Sequence, residues 1–195
     1  MEHKQDLRMK RTCRILSYTL FSLLTQKSYE QIRIEEICQK AFIHRTTFYH
    51  YFNNKNDLLS YAIDEVKEKI FDTLHAKHIP AEQTEEMFLQ LAKIAIHFLY
   101  ENRTIIEQIM YHNPTHPMIE IFTESISRSI KYLFVKNRKQ FPSLTIHKDI
   151  LAQFLTGGCM QMAVWWLENK TPISEEEFYE NVKILMKQQT YLPLS

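Results

Sequence analysis

Apolar residues recur at helical spacing along almost the whole chain. Leu16, Leu20, Leu23 and Leu24 stand at i, i+4, i+7 and i+8, with Ile15 widening the stripe. They predict a first helix whose early turns carry Lys4, Arg8, Lys10, Arg11 and Arg14. A polar break over 26–31 precedes a short helical stretch at 34–41, and a break at 42–44 precedes another at 45–52. Asn53 and Asn54 interrupt the pattern again. Asn54 is placed to cap the next helix, with Asp57 in its first turn, where a negative charge suits the helix dipole. That helix carries Leu58, Leu59, Ala62, Ile63 and Val66 and runs to about Thr73. Beyond Pro80, Met87, Leu91, Ile94, Ala95 and Phe98 form one stripe and Phe88, Ala92, Ile96 and Leu99 a second, which predicts a central helix, buried on two faces. A short helix at 103–111 ends at the Pro114 and Pro117 turn; Ile119, Phe122, Ile126, Ile130 and Leu133 mark the next, and Leu151, Leu155, Gly158, Met162 and Trp165 another. The last helix opens with a capping box, Ser174 and Glu177, and a hydrophobic staple, Ile173 and Phe178; Phe178, Val182, Leu185 and Met186 form its stripe. Alternation of period two is sustained nowhere. The pattern predicts an all-α protein of about nine helices, the first ones short or basic and the later ones long and apolar.

Composition narrows the function. The only two glycines, Gly157 and Gly158, are adjacent. Phosphate-cradling loops need several spaced glycines, so a dinucleotide fingerprint or a P-loop is excluded. Net charge is only +1, yet residues 1–60 hold ten Lys and Arg against six Asp and Glu, while the rest holds 14 against 17. A basic first third on a neutral chain suggests one electrostatic footprint. Cys13, Cys38 and Cys159 are widely spaced and odd in number, without disulfide-framework or metal-knuckle spacing, so a reduced, cytoplasmic setting is expected. The polar, charged start has no signal-peptide pattern. Residues 150–167 carry no formal charge, but they include Gln153, Thr156 and Gln161 and read as a buried or interface helix rather than a membrane span.

The chemistry concentrates in residues 34–55, where two short helices flank a three-residue turn: a helix-turn-helix. Ile37 and Ala41 can face the partner helices, Cys38 suits a close crossing, Ile43 plugs the turn, and Phe48 and Phe52, four apart, anchor the second helix from beneath. Thr46, Tyr49 and His50 then share an outward face, flanked by Thr47 and Tyr51, with Arg45 at the helix start. Arg45 can donate a bidentate pair to guanine, and hydroxyls with a following lysine suit phosphate oxygens.

These residues resemble the DNA-binding domain of the TetR/AcrR family of bacterial transcriptional regulators. The resemblance spans roughly Arg11 to Leu59 and is carried by Ile37-Cys38, Ala41, Ile43, Arg45, Thr47-Phe48-Tyr49-His50-Tyr51-Phe52, Lys55 and Asp57-Leu58-Leu59, preceded by Ile15-Leu16 and Tyr29. It implies a DNA-binding domain over 1–55 and an effector-binding and dimerisation domain over 56–195. It also implies that Arg45, Thr46 and His50 touch bases, and that Thr47, Tyr49, Tyr51 and Lys55 touch mostly phosphates. The last two helices would pair with those of a second subunit, so that a homodimer reads a near-palindromic double-stranded operator, released when a small molecule tilts the helix starting near Asn54. Four positions depart from the family pattern. Phe42 replaces a turn glycine, which implies strain or a different turn; His44 replaces a Ser-type cap; Thr46 replaces a glycine; and Ile32-Arg33 replaces a Thr pair, so Arg33 is the expected phosphate contact there.

Candidates to line an effector pocket are His97, on an otherwise apolar helix, with Tyr100, Tyr111, Phe122, Met162 and Trp166; plain core packing is the alternative for each. The His75/His78 and His112/His116 pairs lack a nearby third ligand, so no metal is expected, and no cofactor. Hydrolase and metalloprotease signatures are absent, so the expected protein is not an enzyme. Two functional readings stay open beside each other: a repressor released by a small molecule, and a DNA binder of the same fold controlled by a protein partner, as a coactivator or a DNA-associated structural factor.

Overall fold

In the computed structural model of the chain, residues 2–76, 84–113, 118–136, 146–170 and 172–188 are described. Among them are nine α-helices and no strand: α1 (Glu2–Leu24), α2 (Ile34–Ala41), α3 (Arg45–Tyr51), α4 (Lys55–His75), α5 (Thr84–Glu101), α6 (Arg103–His112), α7 (Met118–Lys136), α8 (Lys148–Glu168) and α9 (Glu175–Gln188). A 3-10 turn, Tyr29–Gln31, occupies the polar break after α1. The chain packs as two compact units, Met1–Lys67 with Thr104–Ile126, and Glu68–Arg103 with Ser127–Ser195. These packing units are cut differently from the functional division at residue 55. Their boundary falls within α4, and α6 with the first part of α7 packs in the same unit as α1–α3.

The first unit is built on the predicted stripe. Leu16, Leu20, Leu23 and Leu24 are fully buried and meet Tyr29, Ile32, Ile37, Cys38, Phe48, Leu58 and Leu59 in one apolar cluster. Ile15 does not widen that face: one residue off the Leu16–Leu20 line, it turns outward. Polar ties across long sequence separations hold the unit, among them the following. Arg14 pairs with Glu65 at 2.9 Å, joining α1 to α4. On α7, Ser125 accepts from the Lys67 amine at 2.6 Å and lies 3.1 Å from Asp64 on α4. Asn113, just past α6 and 3% exposed, accepts from the Tyr29 N–H at 2.6 Å and donates to Ile109 O at 2.8 Å and Leu24 O at 3.4 Å.

In the second unit the centre is aromatic. Trp166 is fully buried, stacked on Phe178 with ring centroids 4.6 Å apart and on Tyr100 at 5.9 Å, and its indole N–H donates to Ile173 O at 3.0 Å. The start of α9 follows the predicted cap, the Glu177 N–H donating to Ser174 Oγ at 3.1 Å. Val182 is buried in this core, whereas Ile184 and Leu185 on the same helix are about half exposed. On α5, Ile94 and Ile96 of the two stripes are buried, as is Leu89, which neither stripe included, and the other stripe residues are only half-buried, so that helix is less enclosed than its two apolar faces predict. By length and composition α8 is apolar enough to cross a membrane. Its own unit covers only part of it: Leu151, Ala152, Thr156, Trp166 and Leu167 are buried, while Ile150, Phe154 and Trp165 are exposed.

Candidate nucleic-acid interface

The α2–turn–α3 segment is positioned from below. Ile37, Cys38 and Ala41 seat α2 on the core; Phe48 and Phe52, with ring centroids 5.6 Å apart, seat α3, and Tyr61 of α4 packs on Phe52 at 5.6 Å. Burying two phenyl rings contributes about 3–6 kcal/mol, enough to fix which side of so short a helix faces outward. Phe42 ends α2 at φ 54°, ψ 37°, the left-handed region, with its ring 96% exposed. The chain therefore keeps the turn that glycine usually supplies and accepts strain of about 1 kcal/mol, with no packing gain from the ring. Ile43 N–H donates to Cys38 O at 3.0 Å and closes the turn.

His44 caps α3. Its Nδ1 accepts from the Thr46 N–H at 3.4 Å and lies 2.8 Å from the Thr46 hydroxyl. The imidazole thus takes over the work of the missing Ser-type cap. Beyond it, Arg45, Thr46, Tyr49 and His50 are all exposed on the outer face, and Thr47 and Tyr51 are half-buried at its flanks. The Arg45 guanidinium is hydrogen-bonded to the Tyr49 hydroxyl, one turn on, which holds its charge more firmly still. His50 and Tyr51 rings meet edge to face at 4.9 Å. Arg33 sits exposed at the start of α2, where its backbone caps the helix without a side-chain bond.

Lys55 has a different occupation from the phosphate contact expected of it. Its amine is half-buried, bonded to Ile32 O at 2.7 Å and to Tyr29 O, and lies 4.1 Å from the centre of the Tyr29 ring. Desolvation lowers its pKa. The Tyr29 hydroxyl donates to Asn56 Oδ1 at 2.6 Å, and burial pushes that phenol up. Lys55 and Asn56, at the head of α4, therefore hold the segment leading into α2. The α4 cap is the expected one: Asp57 N–H donates to Asn54 Oδ1 at 3.0 Å, and Asp57 in turn accepts from Asn53 N–H at 3.0 Å.

The pocket candidates are dispersed. His97 is turned out from α5, with Nδ1 3.0 Å from Glu175 on α9. Trp166 and Tyr100 belong to the aromatic core, and Arg103 lies 4.5 Å from the centre of the Tyr100 ring. Tyr111, in the first unit, is 81% exposed. Met162, with Trp165, Ile173, Glu177, Phe178, Asn181 and Val182, lines a shallow groove of about 350 Å³ between α8 and α9. The side chain of Phe122 lies outside the described residues, as do His78 and His116. No cluster of metal-ligating side chains occurs among the described residues. What the sequence pattern did not single out is the buried amide of Asn113; the one available signal was an Asn-Pro pair, which marks a turn and nothing more.

An α-helix with a polar outer face, capped at its start and seated on a three-helix core, defines a helix-turn-helix DNA-binding protein. Comparison with known proteins agrees. Residues 20–62 match the family described as "Bacterial regulatory proteins, tetR family", and residues 82–188 match "Transcriptional regulator C-terminal region". Residues of this chain are 38% identical over 53 positions to the transcriptional activator DhaS of the dhaKLM operon of Lactococcus lactis, and 39% identical over 62 positions to the TetC protein of transposon Tn10 from Escherichia coli. Those stretches cover 27% and 31% of this chain and 28% and 32% of the two relatives. A crystal structure from Syntrophomonas wolfei, assigned to the TetR-family regulators, shares the fold over 95% of this chain and 98% of its own, with a TM-score of 0.70 at 17% identity. The chain belongs to the TetR family of bacterial transcriptional regulators, and is a DNA-binding transcriptional regulator.

Proposed function

We propose that this protein is a cytoplasmic homodimeric repressor that reads a near-palindromic operator with α3 and leaves it when a small molecule binds the effector domain, residues 56–195. The observation that carries the reading is the outer face of α3: Arg45, Thr46, Tyr49 and His50 are exposed while Phe48 beneath them is fully buried. Arg45, Thr46 and His50 are assigned to base edges, and Thr47, Tyr49, Tyr51 and Arg33 to phosphates. Lys55 acts through Tyr29 and Ile32 instead, as a positioning residue. Dimerisation is assigned to α8 and α9, whose outer faces expose Ile150, Phe154, Trp165, Ile184 and Leu185. Such a row of apolar side chains on neighbouring helices suits a self-complementary interface. Two reading heads on a two-fold axis then demand half-sites one helical turn, ~34–36 Å, or a multiple apart. The effector needs only to favour the spacing that does not fit the operator, by about 1–3 kcal/mol.

A second reading, activation, is favoured by one observation: the helix-turn-helix relative from Lactococcus lactis is an operon activator. In vitro selection of bound DNA, followed by mass spectrometry of co-purified small molecules and by transcription from the selected promoter, separates the two. Repression requires a selected site that overlaps promoter elements and loses occupancy with ligand. Selection of no sequence at all would refute both. Arg45→Ala is expected to relax preference at one base position at a cost of about 1–3 kcal/mol; an unchanged selected site with unchanged affinity would remove Arg45 from base readout.

A further inference from the structure

Phe42 is ill-suited to its place by everything the protein itself offers it. Its backbone stands at φ 54°, where a β-carbon is strained, and its ring is 96% exposed. Among the described residues only Lys170, just past α8, shares a positive φ. There the side chain is an exposed cation that water solvates. A phenyl ring has no such compensation. Left in water, it forgoes the burial that stabilises Phe48 and Phe52 below it. Strain that no internal contact offsets points outward, to a function.

The surroundings of the ring narrow what it meets. The Ile43 N–H closes the turn on Cys38 O at 3.0 Å, and the Ile43 side chain packs on the core of the first unit, while Phe42 beside it stands out. His44 follows, its Nδ1 2.8 Å from the Thr46 hydroxyl at the start of α3. Lys40, His44 and Arg45 are exposed on either side, and no acidic residue occurs from 39 to 45. An apolar ring with basic neighbours and no acidic one suits a groove walled by phosphates. Three peptide units separate Phe42 from Arg45, a span of at most ~10–11 Å. At ~3.4 Å per base pair, the ring reaches a base within about three pairs of the one assigned to Arg45. In the major groove the apolar feature of a base edge is the C5-methyl group of thymine, and phenylalanine is among the side chains that contact it.

We propose that Phe42 is a specificity-determining DNA contact, its ring packed on the methyl group of a thymine in each half-site. This rests on the assignment of α3 to base edges made above. The contact also accounts for the strain: glycine would relax the turn and leave the thymine unread. The ring is withdrawn from water only when the operator is bound, so its apolar surface favours the complex and not the fold.

The test uses the full chain and the site selected in vitro, with deoxyuridine put in place of thymine one position at a time. Each replacement removes a methyl group and keeps the base-pair hydrogen bonds. The wild-type protein is expected to lose affinity about three- to fivefold at one such position in a half-site. Phe42→Gly, which relieves strain and so folds, is expected to bind the thymine and deoxyuridine sites equally, and Phe42→Leu, still apolar, to keep the difference. Any effect of Phe42→Gly on the turn itself bears on both sites alike and drops out of the comparison. A wild type indifferent to every replacement, a Phe42→Gly variant as sensitive as the wild type, or a loss in that variant that is the same on both sites overturns the methyl contact. Arg45→Ala keeps the two readings apart: if it relaxes one base position while no methyl group matters, α3 still reads bases and Phe42 alone is removed, whereas selection of no sequence by the wild type refutes both.

Discussion

Asn113→Ala removes the polar joint between the end of α6 and the segment that leads into the helix-turn-helix. The side chain is 3% exposed and makes three bonds: it accepts from the Tyr29 N–H at 2.6 Å and donates to Ile109 O at 2.8 Å and to Leu24 O at 3.4 Å. Truncation strands the Tyr29 N–H, at a cost of about 1–3 kcal/mol for an unmade bond to a buried donor. The shorter of the two carbonyl bonds adds about 1 kcal/mol and the long one little. The expected loss is about 2–4 kcal/mol, in the range that buried polar deletions reach. Fluorescence would follow the wrong unit, because both tryptophans, Trp165 and Trp166, lie on α8. Native-state hydrogen exchange of the amides in α1, α2 and the turn at Tyr29–Gln31 reports the right one. Asn113→Asp sharpens the assay. It keeps the acceptor for Tyr29 but turns a carboxylate oxygen toward Ile109 O, so the folded state favours the protonated, donating form. That raised carboxyl pKa makes the variant recover as pH falls and weaken again as pH rises through the folded-state value. A loss below 1 kcal/mol in Asn113→Ala, with exchange at the turn unchanged, would refute the joint.

Phe42→Gly is expected to stabilise the first unit by about 1 kcal/mol, because it relieves the positive φ and the exposed ring contributes no packing; Phe42→Ala, which keeps the β-carbon, changes little, and equal effects of the two in thermal denaturation would argue against strain. Lys55→Met removes charge-assisted bonds to the carbonyls of Tyr29 and Ile32, costing about 2 kcal/mol, and weakens operator binding without altering its salt dependence; a salt slope smaller by about 1 would instead return Lys55 to the phosphates. Leu185→Glu places charge on the half-exposed outer face of α9 and is expected to yield a folded monomer by light scattering, whereas Val182→Glu buries an unpaired charge beside Trp166 and unfolds the second unit; a dimeric Leu185→Glu variant would move the interface elsewhere.

How much of this was legible beforehand depended on the range of the interaction. The helices of the first unit, the α4 cap at Asn54 and Asp57 and the α9 cap at Ser174 and Glu177 are all set within a few residues, by periodicity and by side chains that reach their own backbone. The outward face of α3 follows in the same way, since two phenylalanines four apart dictate which side is buried. Even the departures at Phe42 and His44 were visible as unusual residues, though only the backbone angles and the Nδ1 geometry showed that the usual turn and cap survive.

What the sequence determined by itself is therefore the all-α class, the helix-turn-helix and the polar face it presents, because each rests on local spacing. Only the tertiary structure decided where the long side chains spend their polar ends. Lys55 turns inward because two carbonyls of the turn after α1 stand within reach of α4. Asn113 finds Tyr29 across 84 positions of chain. Val182 and Leu185, neighbours on one predicted stripe, part company because the first joins the buried cluster of Trp166 and Phe178 and the second is left open. Periodicity names the helix face, but which neighbour covers it is a property of packing, and that information is spread over the whole chain.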